Sequence, residues 1–147
     1  MRYILIIEDY LDLVDAYFKE AEDDILPRCG LDPENYQLLH AESAEQAWEI
    51  VEDKLECIDL IIADIALKKD KRAGIRFVKE FGRRFPNQHT LIHVVSSGNN
   101  FGTAQRTIKS KKVKFTKKPL KTSDLYSIVA RIINEMPASR ANSIKDV

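Results

Sequence analysis

The sequence predicts an α/β domain: five parallel strands in one doubly wound sheet, with five helices covering its two faces. Three observations carry this. Short aliphatic runs without polar alternation, of which residues 58–67 are the clearest, mark strands covered on both sides. Between them lie segments whose apolar residues recur at helical spacing. The two kinds of segment alternate along the chain, five of each, as in a parallel sheet with helices above and below.

Taken in order, residues 3–7 form a buried-type strand that ends in Glu8-Asp9. Leu11, Val14, Phe18, Ala21 and Ile25 then fall on one helical stripe, closed by Pro27 and Gly30. The connection over residues 26–35 is longer than usual. Residues 36–41 form the second strand, and Ser43 with Gln46 three residues on has capping-box spacing. The helix that follows buries Ala44, Ala47, Trp48, Val51 and Leu55, which makes Trp48 a core aromatic. The central strand runs to Asp64 and leads through a lysine-rich turn to a third helix marked by Gly74, Val78, Phe81 and Phe85. Residues 91–95 are the fourth strand, in which His93 reads as a satisfied core side chain. A helix with Phe101, Ala104 and Ile108 separates it from the fifth strand, residues 113–117, and from Lys118-Pro119. Leu125, Ile128, Val129, Ile132 and Met136 form the last helix. Residues 137–147 read as a polar tail.

The chain's 147 residues, 44% hydrophobic and 31% charged, suffice for one domain with a sizeable core and leave little room for a second. No apolar run approaches the roughly 20 residues of a bilayer-spanning helix, and Met1-Arg2-Tyr3-Ile4 does not open a signal peptide. A cytoplasmic protein without membrane association is the expectation. Cys29 and Cys57 lack metal-ligand spacing and fit two free thiols. Residues 1–64 hold 4 Lys/Arg against 18 Asp/Glu, whereas residues 65–147 hold 19 against 5, so the halves carry −14 and +14. Such a division bears on association, including a homodimer with head-to-tail contacts that salt weakens.

In a parallel sheet every strand end points the same way. Glu8, Asp9, Asp64, Ser96 or Ser97, and Lys118 therefore converge on one edge, where open α/β folds build their ligand sites. Three carboxylates brought together repel unless protons or a cation compensate. An all-oxygen acidic site open to water suits Mg²⁺. A lysine and a hydroxyl on its rim supply the positive charge and donors that a phosphoryl group needs.

These residues resemble the receiver domain of two-component response regulators, over about residues 2–136. The likeness is carried by Glu8-Asp9, by Asp64 after its aliphatic run, by Gly74, by Ser96-Ser97-Gly98 and by Lys118-Pro119, in that order. The resemblance implies a flavodoxin-like sheet with strand order 2-1-3-4-5. It implies that Asp64 takes a phosphoryl group from a sensor histidine kinase or a phosphotransfer protein. Glu8, Asp9, Asp64 and the Ala66 carbonyl would hold Mg²⁺, and Lys118 would pair with the phosphoryl oxygens. Counting back from Lys118 favours Ser96 as the switch hydroxyl; pairing a hydroxyl with a following glycine favours Ser97. Phe115 stands at the switch aromatic, without a hydroxyl of its own. The small Ala66 side chain implies an unobstructed approach to the phosphoryl site. The loop after Asp64 is about two residues longer than is typical, and Lys68 stands where a proline is common.

The expected role is regulatory rather than enzymatic, apart from self-phosphorylation and autodephosphorylation. The seven lysines between Lys109 and Lys121 read first as a solvated face plus Lys118; the alternative is a docking surface for an acidic downstream protein on helix four, strand five and helix five, the face on which the resemblance places signal output. Direct nucleic-acid binding is disfavoured, since neither a helix-turn-helix nor stacking aromatics surround the lysines. Two other readings stay open: a receiver-like interaction module that is never phosphorylated, and an aspartate-nucleophile phosphatase or nucleotide hydrolase. The last lacks support, because Ala66 stands where that phosphatase family has a second Asp and no GxxxxGK[ST] loop is present. Only eleven residues follow Met136, so the output is expected from a separate partner or from a longer chain.

Overall fold

The computed structural model describes residues 1–67 and 70–135. Lys68, Met136 and the expected tail of residues 137–147 lie outside the described residues. Strands β1 (Arg2–Ile7), β2 (Tyr36–Ala41), β3 (Ile58–Asp64), β4 (Leu91–Ser96) and β5 (Val113–Lys117) form one parallel sheet in the order β2-β1-β3-β4-β5. Five helices connect and follow them: α1 (Leu11–Glu20), α2 (Ala44–Lys54), α3 (Ala73–Arg84), α4 (Gly98–Thr107) and α5 (Thr122–Glu135).

Alternation along each strand divides the core. Ile4 and Ile6 of β1 join the cluster built with Val14 and Tyr17 of α1 and Leu125 and Ile128 of α5. Leu5 and Ile7 join the opposite cluster, with Val51 of α2, Phe77 and Phe81 of α3, and Ala104 of α4. Every residue of β3 is buried, as its central place in the sheet requires. Each fully buried aliphatic side chain contributes about 1.5–3 kcal/mol relative to exposure, so the two clusters hold the layers together.

The structure corrects several details. Leu11, placed on the buried stripe of the first helix, is 53% exposed, because α1 begins beyond the edge of the sheet; Tyr17 is buried instead. That helix does not stop at Pro27. It continues through a π-helical turn, Ala21–Ile25, into Leu26–Arg28, and ends at Gly30, whose φ of 77° suits glycine. Ala44, Trp48 and Leu55 are half-buried rather than buried. Trp48 packs on Phe77 with ring centroids 4.5 Å apart and carries the Arg84 guanidinium on its other contact, 4.7 Å from the ring. The Ser43 cap is present: its Oγ accepts from the Gln46 N–H at 3.2 Å, and the Gln46 side chain accepts from the Glu42 N–H at 2.7 Å. Cys29 and Cys57 are free thiols.

Two buried polar clusters tie distant segments. Asp59, fully buried in β3, accepts from Arg2 Nε at 3.1 Å, Arg2 Nη2 at 2.6 Å and the Tyr36 hydroxyl at 2.7 Å. On the other side, Arg131 of α5 donates to the Ile92 and Lys112 carbonyls and to His93 Nδ1, at 2.8, 3.0 and 3.2 Å. A guanidinium cannot accept, so His93 Nδ1 is the bare nitrogen and Nε2 donates to Thr116 Oγ1 at 2.7 Å.

Burial, reinforced by Arg131 and Lys114 against the weaker pull of Glu135 and Asp124, lowers the His93 pKa from 6.5 to about 4. Between those values the unfolded chain holds a proton on His93 that the folded chain does not. His93 therefore contributes stability above pH 6.5 that is lost as pH falls toward 4, by up to about 3 kcal/mol. Glu8 acts in the opposite direction, so the contribution is isolated by comparison with His93→Gln, which keeps one acceptor and one donor without titrating. Urea midpoints at pH 7.5 and pH 5 should fall more for the parent than for the variant; equal slopes would sink the assignment.

Candidate functional site

Strand register brings the acids together before any side chain is considered. Ile7 pairs with Ala63, so Glu8 and Asp64 follow at the same level on adjacent strands, which lie about 4.8 Å apart. Asp9 is next in chain. One oxygen from each of Glu8, Asp9 and Asp64 lies within 4.8 Å of the others. His40 Nε2, from the end of β2, donates to the Glu8 carbonyl at 2.6 Å, and the Glu8 N–H donates to the Ala41 carbonyl at 3.0 Å. These two bonds fix the acidic corner to the edge strand.

Lys118 arrives from the far side. Its N–H donates to the Ser96 carbonyl at 2.7 Å, and the Lys118-Pro119 peptide that follows is cis. The ammonium donates to Asp64 Oδ2 at 2.9 Å and to Glu8 Oε2 at 3.1 Å. The Ala66 N–H donates to the other Asp64 oxygen, Oδ1, at 3.3 Å. Glu8 and Asp64 are 4% and 8% exposed, so these charges face one another in a largely dry corner.

The electrostatics follow from that crowding. Burial first, then the hydrogen bond and charge of Asp64, push the Glu8 carboxyl up to about 7 against the opposing pull of Lys118. Burial works against the Lys118 ammonium, but its bonds to Asp64 and Glu8 and their charges outweigh it and raise its pKa. Tyr17, beneath the pocket, is raised by burial and lies in the field of Lys118, Glu8 and Asp64. The corner holds more negative charge than one lysine neutralises. A hard divalent cation with oxygen ligands fits that donor set.

The two candidate hydroxyls are placed differently. Ser96 is 1% exposed and its Oγ has no hydrogen-bond partner among the described residues. Ser97 is exposed at the start of α4, and its Oγ accepts from Asn100 Nδ2 at 3.4 Å. Phe115 is half-buried and meets Phe101 edge to face, centroids 6.3 Å apart, with the Lys117 ammonium 5.1 Å above the Phe101 ring. Gly74, the second residue of α3, lies against the chain just after Asp64: a Cβ there would stand 1.9 Å from the Asp64 carbonyl oxygen. His40 and Tyr17 were not singled out by sequence reasoning. A histidine at the end of a strand beside an acid-tipped strand is a signal for the first; Tyr17 has none beyond its place on the helix.

An acid-tipped parallel sheet with a lysine bridging two of its acids defines a flavodoxin-like domain of the receiver type. The chain belongs to the response regulator receiver domain family, whose model matches residues 25–130. Asp64, Ser96 and Lys118 fall inside that match, and Glu8-Asp9 before it. Solved structures share the fold. The receiver domain of NtrX from Brucella abortus matches with a TM-score of 0.67 at 21% identity, covering 90% of this chain and 98% of that one. A response regulator receiver domain protein from Clostridium thermocellum matches with a TM-score of 0.71 at 20% identity, covering 91% and 95%. The longer NtrX chain matches with a TM-score of 0.72 at 22% identity, covering 97% of this chain and 29% of that one. No match is found among the curated proteins. Receiver domains are regulatory modules that pair with histidine kinases and downstream effectors, and they generally bind Mg²⁺ at an acidic pocket. Among the described residues no helix is long and apolar enough to cross a membrane.

Proposed function

We propose that this domain accepts a phosphoryl group from a histidine kinase or phosphotransfer protein onto Asp64 and reports it on the α4-β5-α5 face. The observation that carries the reading is the Lys118 ammonium bonded to both Asp64 and Glu8. An Asp64 oxygen attacks phosphorus, the bond to the donor imidazole nitrogen breaks, and an acyl phosphate forms. Glu8, Asp9, Asp64 and the Ala66 carbonyl would hold Mg²⁺, and the bound ion would supply positive charge to the phosphoryl oxygens. Lys118, already within bonding distance of Asp64, follows the charge as it moves onto the phosphoryl group.

The unpartnered Oγ of Ser96 supports that hydroxyl over Ser97 as the group drawn to the phosphoryl oxygens. Its movement would open space toward Phe115 and re-set α4 and β5 for a downstream protein or a second copy. The setting is cytoplasmic, where two free thiols stay reduced.

The test is labelling by acetyl phosphate. Incorporation should need Mg²⁺ and stop with EDTA; metal-independent labelling refutes the proposed site. Ser96→Ala should still be labelled, yet beryllofluoride should no longer shift the Phe115 and Lys117 amides. Ser97→Ala should respond like the parent, and the reverse pattern would assign the switch to Ser97. A beryllofluoride-dependent change in gel-filtration volume distinguishes a second copy from a different partner.

A further inference from the structure

A second site candidate lies at the opposite edge of the sheet, where β4 and β5 begin. A cavity of about 460 Å³ opens between the ends of α3 and α4 and the segment leading into β5. Its volume falls within the about 300–1,000 Å³ range of ligand pockets. Phe81, Phe85, Ile92, Ile108 and Val113 give it an apolar floor. Lys79, Lys109, Lys111 and Lys112 line it, and among the described residues no Asp or Glu does.

We propose that this cavity binds a small amphiphilic anion, an apolar body on the aromatic and aliphatic floor with a carboxylate or phosphate at the lysines. Lysines close to a helix C-terminus also offset its dipole, which would account for them on an open surface. Here they border a hollow instead. Lys112 is held in place: its ammonium donates to the Pro86 and Gln88 carbonyls at 3.2 and 3.3 Å, leaving its third N–H for a ligand. Lys79, Lys109 and Lys111 form no ion pair within the described residues. Gly82 forms part of the wall, and a Cβ there would meet nothing within 4 Å. Glycine inside a helix is unfavourable by about 1 kcal/mol relative to alanine, and here it leaves that stretch of the wall without a side chain.

The site is distinct from the acidic pocket, and its test is independent of phosphorylation. Isotope-labelled protein is titrated with decanoate, decyl phosphate and decanol below their micelle concentrations, following amide shifts. Saturable shifts at Ile92, Ile108 and Val113 are expected, with at least one anion binding about tenfold more tightly than decanol; the tighter anion identifies the headgroup. Replacing Lys109, Lys111 and Lys112 together by Gln should reduce that preference to about twofold or less. Gly82→Leu should abolish binding while melting no lower than the parent, and Asp64→Asn should bind as the parent does. Equal binding of decanol, shifts scattered away from the cavity, or full affinity in Gly82→Leu would each overturn the proposal.

Discussion

Asp64→Asn should reduce acetyl-phosphate labelling to background while leaving the fold intact. The amide keeps the shape of the carboxylate but is not a nucleophile toward phosphorus, so no acyl phosphate can form. Lys118 retains its bond to Glu8 at 3.1 Å, which keeps the ammonium in the corner. Loss of the Asp64 charge weakens one attraction to Lys118 and removes one repulsion toward Glu8. These oppose, and the net change in stability should stay within about 1 kcal/mol, the ordinary range for a substitution that opens no cavity. A second readout follows from the causes of the Glu8 shift. Burial is the largest and survives; the hydrogen bond and charge of Asp64 do not. The Glu8 midpoint should therefore drop from about 7 part of the way toward 4.5, as seen in carboxyl carbon shifts against pH. Labelling that persists in the variant would mean a different acceptor. A parent never labelled, with the same corner intact, would favour an interaction module that works without phosphate.

How far the sequence reveals this corner depends on the kind of contact. Strands Tyr36–Ala41 and Val113–Lys117 have the bounds expected from their residue types although, at the two edges of the sheet, they are only partly buried; the central strand Ile58–Asp64, buried at every residue, declares itself by composition. The meeting of Glu8, Asp64 and Lys118 was legible because parallel topology sends every strand end to one edge, whatever the side-chain detail. The choice between Ser96 and Ser97 was not, since it turns on which of two neighbours faces inward where a strand ends. Here Ser96 continues β4 and is buried, and Ser97 already starts the turn into α4. Asp59 in a fully buried strand was opaque for another reason: its partners Arg2 and Tyr36 are 57 and 23 residues away. The π-helical turn at Ala21–Ile25 leaves the apolar spacing nearly unchanged, and Leu11 satisfies the stripe while standing beyond the sheet that would cover it.

Gly74→Ala should destabilise the domain by about 3 kcal/mol, toward the upper end of the usual overpacking cost. Intrinsic preference argues the other way, since alanine in a helix is favoured over glycine by about 1 kcal/mol. Geometry decides the sign. The added Cβ would stand 1.9 Å from the Asp64 carbonyl oxygen and 2.7 Å from Ile65 Cα. Both are backbone atoms at the end of the buried central strand, not the flexible tip of a side chain. The Gly74 N–H also donates to the Ile65 carbonyl at 2.8 Å, so α3 cannot back away without breaking that bond. Relief must come from moving the chain after Asp64, which carries the Ala66 N–H away from Asp64 Oδ1 and disturbs the nucleophile. Acetyl-phosphate labelling should slow along with the fall in the urea midpoint. Gly82→Ala is the control in the same helix, where the new methyl meets nothing within 4 Å. It should gain up to about 1 kcal/mol by propensity alone and label normally. If both alanine variants were equally stable, α3 would not press on the strand end as described, and Asp64 would need some other support to hold it toward Lys118.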